Sequence, residues 1–257
     1  HRQADHCLLA SQVEMQILAD AGVADNASWL PLLLDCTRTL NPAAGRQDLM
    51  FVGGFHHAPN IHALRVLLED IMPRLRQRRP ELRLWVVGEA PPPDLVARQD
   101  PGVTYLGAVQ DLTPLMDRVR VAVAPLKFGA GAKGKVARPM AAGVPVVATT
   151  EAIEGMDLTA GEHLLLADNA DAFAHEVLRL HDDDALWQRM SDAGHQQAVS
   201  QWGPRSACAN LARILQSLGV DTRQSPYGCK FFHEPSFLPE PREPMPPAPR
   251  SAAIAAS

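Results

Sequence analysis

Between residues 49 and 218, short unbroken apolar runs alternate with longer stretches in which apolar side chains recur every three or four positions. The runs at 49–52, 82–87, 103–106, 119–125 and 144–148 predict strands buried on both faces, and 164–166 predicts a sixth. After Pro59 and Asn60, the residues Ile61, Leu64, Leu68, Ile71 and Leu75 share one helical face. Arg74, Arg76, Arg78 and Arg79 crowd the last turns of that helix, where cations suit its dipole. Residues 111–119 predict a short helix, and 170–180, 185–200 and 205–218 predict three closing ones. At the front, a strand over 4–10 runs into a helix over 14–21. Strands and helices alternating at these lengths imply an α/β fold: a doubly wound, Rossmann-like parallel sheet with helices on both faces.

Glycines punctuate this pattern at one kind of place. Gly53, Gly54, Gly88, Gly107, Gly129 and Gly131 each fall just after a predicted strand. A sheet of this class binds ligands at the carboxyl ends of its strands, so these turns are expected on one rim. Singly, each reads as a plain turn; together they read as a ligand edge. The richest segment spans 129–143, where glycines and two lysines precede a helix. Amides at a helix start have no partner within the helix, and the dipole favours an anion there, so the segment is suited to a diphosphate. Lys133 is the expected phosphate contact, ahead of Lys135.

Charge and composition narrow the partners. A net charge of -5 over 257 residues gives no broad basic field, which argues against nucleic acid. Cys7, Cys36, Cys208 and Cys229 have no Cys-x-x-Cys spacing, so reduced thiols are expected rather than disulfides or zinc, and no metal-ligand cluster stands out. No apolar run approaches the roughly 18 residues of a membrane span. Beyond residue 220 proline recurs and apolar periodicity stops, which reads as a disordered tail, with Phe231, Phe232 and Phe237 as an alternative docking segment. Three parts are therefore expected: 1–48, 49–220 and 221–257.

An ordered set of segments carries a family resemblance. It comprises Phe51-Val-Gly-Gly-Phe-His-His-Ala-Pro-Asn60, Leu84-Trp-Val-Val-Gly88, Val103 to Leu112, Ala122 to Leu126, the 129–143 loop with Val144 to Thr149, and Glu154-Gly155. In order and spacing these resemble the nucleotide-sugar-binding C-terminal domain of GT-B glycosyltransferases of the family 4 type, over residues 49–218. Residues 4–14 resemble the last strand and helix of that family's N-terminal acceptor domain, so the chain is expected to be a fragment, with 1–48 a remnant and linker.

The resemblance implies transfer of a hexosyl group from a nucleotide diphosphate sugar to a carbohydrate or lipid-linked acceptor, with retention and without cofactor or essential metal. The fragment alone would be inactive without its acceptor domain. It would be cytoplasmic, at the inner membrane face if the acceptor is lipid-linked. By position, Gly53 and Gly54 would leave room for the donor, Gly88 would border the nucleotide, and Ala108 and Val109 would hold the base. Ala130, Gly131 and Lys133 would lie along the diphosphate and sugar, with Glu154 near the donor. His56 and His57 would be donor contacts or a polar loop, and Glu151 and Glu154 donor contacts or turn caps.

One position departs from the family. Arg138 stands where relatives carry a glutamate that accepts the ribose hydroxyls, and a guanidinium has no lone pair to accept with. Arg138 then either reaches a phosphate or marks a domain that has lost tight donor binding. Pro139 follows it, which predicts a helix starting one turn later than in relatives. The alternatives are a degenerate nucleotide-sugar-binding module without activity and a sugar-nucleotide epimerase of the same layout.

Overall fold

The computed structural model describes residues 4–129 and 133–220. Ala130 and Gly131, two of the expected donor contacts, lie outside these residues, as does the Pro-rich segment after residue 220.

The chain opens with β1 (Cys7–Leu9), α1 (Gln12–Asp20) and β2 (Ala27–Trp29), in which the two strands pair in parallel as a small sheet of their own. Ser11 starts α1 by accepting the Glu14 amide on its hydroxyl. An extended segment and a turn of 3-10 helix at Ala43–Gly45 then lead into β3 (Asp48–Val52).

From there the alternation expected from the sequence is realised. α2 (Ala58–Val66) passes through a π turn at Leu67–Ile71 into α3 (Met72–Arg78), followed by β4 (Leu84–Val87), α4 (Pro93–Ala97), β5 (Val103–Gly107), α5 (Thr113–Met116) and β6 (Val119–Ala124). α6 (Gly134–Ala141), β7 (Val146–Ala148), β8 (Leu165–Leu166), α7 (Ala170–Asp182), α8 (Asp184–Trp202) and α9 (Pro204–Ser217) complete the unit. The π turn sits just before Pro73, whose missing N–H breaks the regular helical ladder, and a locally wider turn accommodates it.

Six strands form one parallel sheet in the order β5-β4-β3-β6-β7-β8. The chain moves outward from β3 to β5, returns to β6 beside β3, and moves outward again to β8. The order reverses between β3 and β6, so the carboxyl ends of those two strands flank the crevice where this architecture takes ligands. Every residue of β6 is buried, which explains an apolar reading that only Arg120 interrupts.

The opposite, amino-terminal edge is held by two buried arginines that sequence reading did not single out. Arg46, 2% exposed, donates to the carbonyls of Asn41 (2.9 Å), Val119 (3.1 Å) and Met116 and to the Thr39 hydroxyl (2.6 Å), and lies 5.1 Å from the Trp187 ring centroid. Arg120 donates to Ala43 O (2.7 Å) and Leu180 O (3.1 Å) and pairs with Asp184 at 2.5 Å. Every nitrogen of the two guanidinium groups donates, and the segment before β3 is thereby tied to the sheet.

α6 corrects one expectation. It starts at Gly134, so Pro139 lies inside it, in the second turn rather than the first. Proline at that place cannot donate to the carbonyl four residues back, that of Lys135, so the helix is short of one internal bond.

Candidate functional site

At the carboxyl rim three turns meet. Gly88, with φ of +146°, lies against the β3 turn so closely that a Cβ there would stand 1.8 Å from Gly53 O. Its amide donates to Gly107 O at 2.8 Å, which links the turns after β4 and β5. Gly53 in turn leaves room for Asn60, since a Cβ on Gly53 would stand 2.9 Å from Asn60 Cγ. Across the switch point, a Cβ on Gly129 would stand 3.2 Å from Pro59 Cγ, so the loop after β6 abuts the start of α2. Gly53, Gly54, Gly88, Gly107 and Gly129 share one rim, and Gly131 lies outside the described residues.

A half-buried cation sits among them. Asn60 is 8% exposed and donates through Nδ2 to Gly54 O at 2.7 Å, which fixes its amide with Oδ1 turned the other way. That oxygen accepts from Lys135 Nζ, which also lies 5.6 Å from the Phe51 ring centroid. Burial and the neighbouring charge of Lys133 pull the Lys135 ammonium down to about 8. No carboxylate among the described residues pairs with it.

Lys133 has a different address. It is 6% exposed and faces a small cavity of about 90 Å³ lined also by Ser11, Trp29, Glu154, Gly155 and Trp202, at the seam with the β1-α1-β2 unit. Burial lowers its pKa, while Glu154 and Glu14 act in the opposite sense from beyond ion-pair distance. Its Nζ makes no hydrogen bond to a described residue. The expected donor contacts Lys133 and Glu154 therefore share one cavity, while Lys135 reaches the Gly53-Gly54 turn only through Asn60.

A larger cleft of about 500 Å³ brings together Val109 and Arg138, the residues expected at the base and the ribose. Val52, Leu112 and Met116 give it apolar walls, and Asp35 and Asp111 place carboxylates on its edge. Arg138 is exposed and makes no ion pair with a described residue. His56 and His57 are exposed on the β3 turn without side-chain partners, and Glu151 buries an unpartnered Oε2 just after β7. A groove of about 540 Å³ between α3 and α7 contains no rim residue, and two of its arginines are paired, Arg74 with Asp171 and Arg179 with Glu176.

Sequence reading missed the roles of Asn60, Phe51 and Asp35. The available signal for Asn60 was a polar residue placed where the first turn of α2 must meet a glycine turn. Among the described residues there is no grouping of three His, Cys, Asp or Glu side chains able to hold a metal, and no helix is long and apolar enough to cross a membrane.

The sequence profile of the family described as "Glycosyl transferases group 1" matches residues 46–183, more than half of the chain. No curated protein matches. Among solved structures, a TarM variant from S. aureus in complex with fondaparinux, alpha-GlcNAc-glycerol and UDP is 12% identical, with a TM-score of 0.70 over 84% of this chain and 44% of that one. HepE from Anabaena, in complex with UDP and glucose, is 16% identical with a TM-score of 0.67 over 84% and 63%. Sucrose-phosphate synthase from Thermosynechococcus elongatus is 18% identical with a TM-score of 0.65 over 83% and 58%. These likenesses show a shared GT-B, Rossmann-like fold, and this chain spans 44–63% of the length of those three structures.

Proposed function

We propose, because the chain belongs to the group 1 glycosyl transferases, that its carboxyl rim holds the diphosphate of a nucleotide sugar whose sugar is transferred to a carbohydrate or lipid-linked acceptor. The observation that carries this reading is the ammonium of Lys135, desolvated at the switch point with no described carboxylate to neutralise it. A charge in that position costs free energy unless an anion completes the site. Lys133, the N-cap residue of α6, adds a second, buried cation two residues away.

As the bond between the sugar and the diphosphate breaks, negative charge accumulates on the departing phosphate oxygens. Preorganised cations and helix amides stabilise that charge most where water is excluded. The same groups perform the electrostatic task that a divalent cation performs elsewhere, so transfer is proposed to be metal-independent. Retention at the transferred carbon and completion of the site by an acceptor domain belong to the same proposal, and rest on the family resemblance of the motif set.

Nucleotide-linked thermal unfolding tests the reading. With UDP, GDP or ADP at millimolar concentration, one nucleotide is expected to stabilise the chain by about 3–4 kcal/mol if present at roughly 100 to 1,000 times its Kd. Addition of EDTA should leave that shift intact. Equal melting temperatures with and without all three nucleotides would overturn the proposal.

A further inference from the structure

We propose that Asp35 supplies the carboxylate that recognises the ribose diol of the nucleotide, in the cleft it shares with Val109 and Arg138. The inference rests on the nucleotide-sugar reading above and identifies the group that reads the ribose. A ribose brings two O–H donors that need acceptors, and Arg138, on the α6 wall, has donors only. The lone pairs must come from elsewhere on the cleft.

Asp35 meets the requirement from an unexpected element, the extended segment before β3. Its Oδ1 accepts both from the Thr37 amide at 2.9 Å and from the Thr37 hydroxyl at 2.6 Å, which pins the carboxylate. Its Oδ2 accepts nothing from a described residue. The backbone beside it is also fixed: Leu34 is buried, and its amide donates to Trp202 O at 2.9 Å. The result is a carboxylate held by one oxygen and open at the other, on a cleft whose apolar side is built by Val52 and Val109. Apolar walls suit a base, one acceptor suits a diol, and the Arg138 fork remains available to phosphate.

The experiment is calorimetric titration of the full chain with UDP, GDP and ADP, each against its 2′,3′-dideoxy counterpart, for wild type, Asp35→Asn, Asp35→Ala and Asp111→Asn. The Asp35→Asn change keeps the oxygen that Thr37 requires but presents an amide donor where the open acceptor was. Wild type is expected to prefer the ribose form by about 10-fold to 100-fold, and both Asp35 variants to lose that preference, with dideoxy binding unchanged within about 2-fold. Melting curves that match wild type confirm that the variants are folded; a loss equal for both ligand forms overturns the assignment. Wild-type preference retained in Asp35→Asn, or lost in Asp111→Asn instead, also overturns it and leaves the nucleotide reading standing. Absence of binding by wild type to all three nucleotides overturns both.

Discussion

The two ends of the sheet treat desolvated cations in opposite ways. At the amino-terminal edge, Arg46 and Arg120 are buried and their donors are consumed by backbone carbonyls, Thr39 and Asp184. At the carboxyl rim, Lys133 is buried and Lys135 half-buried; they lie near enough to repel each other, and neither finds an ion-pair partner among the described residues. A satisfied buried cation rigidifies the chain around it, whereas an unsatisfied one spends stability on readiness for an anion. One end is built for stability, and the other is the end proposed for binding.

The largest expected effect is therefore at the stable end. Arg46→Ala strips donors from the carbonyls of Asn41, Met116 and Val119 at once and empties the space beside Trp187. A loss of about 3–5 kcal/mol is expected from equilibrium urea unfolding. An Arg46→Ala protein with wild-type stability would mean that the paired edge contributes nothing. Next in size is Gly88→Ala, which must push a methyl group into the Gly53 carbonyl at a φ that alanine rarely adopts. A cost of about 2–4 kcal/mol is expected. This variant also displaces the β3 turn, so nucleotide stabilisation should weaken with it, whereas Arg46→Ala should leave the nucleotide-induced shift intact.

The sequence discloses these two ends unequally. The sheet was legible because all-parallel strands buried on both faces leave continuous apolar runs, and the glycine turns were legible because the chain must reverse after each strand. Strand and helix boundaries moved by one to three residues at many ends, while α4 and β2 went unread because each is short and carries little periodicity. Arg120 was hidden inside an apolar run, and nothing in composition tells a buried arginine's partners. The choice between lysines turned on a geometric fact: residues two apart at a helix start leave it in different directions, so Lys133 and Lys135 have different protein neighbours. Spacing says that they diverge, but only the packed neighbours say which one bonds Asn60 and which shares a cavity with Glu154. Asp35 lay beyond sequence reasoning because it reaches the cleft from outside the doubly wound unit.

A smaller effect, of reversed sign, is expected at the binding end. Lys135→Met replaces an ammonium held below its ordinary pKa with an apolar side chain of similar length over Phe51. The variant should be more stable than wild type by about 1–2 kcal/mol at pH 7. It should also lose nearly all nucleotide-induced stabilisation. A variant that is less stable and still binds nucleotide would show that the ammonium belongs to the structural class after all.

The subtlest consequence is proton linkage. Lys135 titrates near 8 in the folded chain against an ordinary 10.5, so between those values the unfolded chain holds more protons than the folded one. Stability contributed through this group therefore rises with pH across that window, and the advantage of Lys135→Met should shrink as pH climbs above 8. An anion seated beside the ammonium restores its pKa upward, so nucleotide binding near pH 8–9 must take up a fraction of a proton that binding at pH 6.5 does not. Titrations in buffers of different ionisation enthalpy measure that uptake directly. It should vanish in Lys135→Met and persist in Asp35→Asn, because the first variant removes the titrating cation and the second changes only the reader of the ribose. Uptake that persists without Lys135 would move the phosphate-binding charge to Lys133, and with it the diphosphate to the seam cavity beside Glu154.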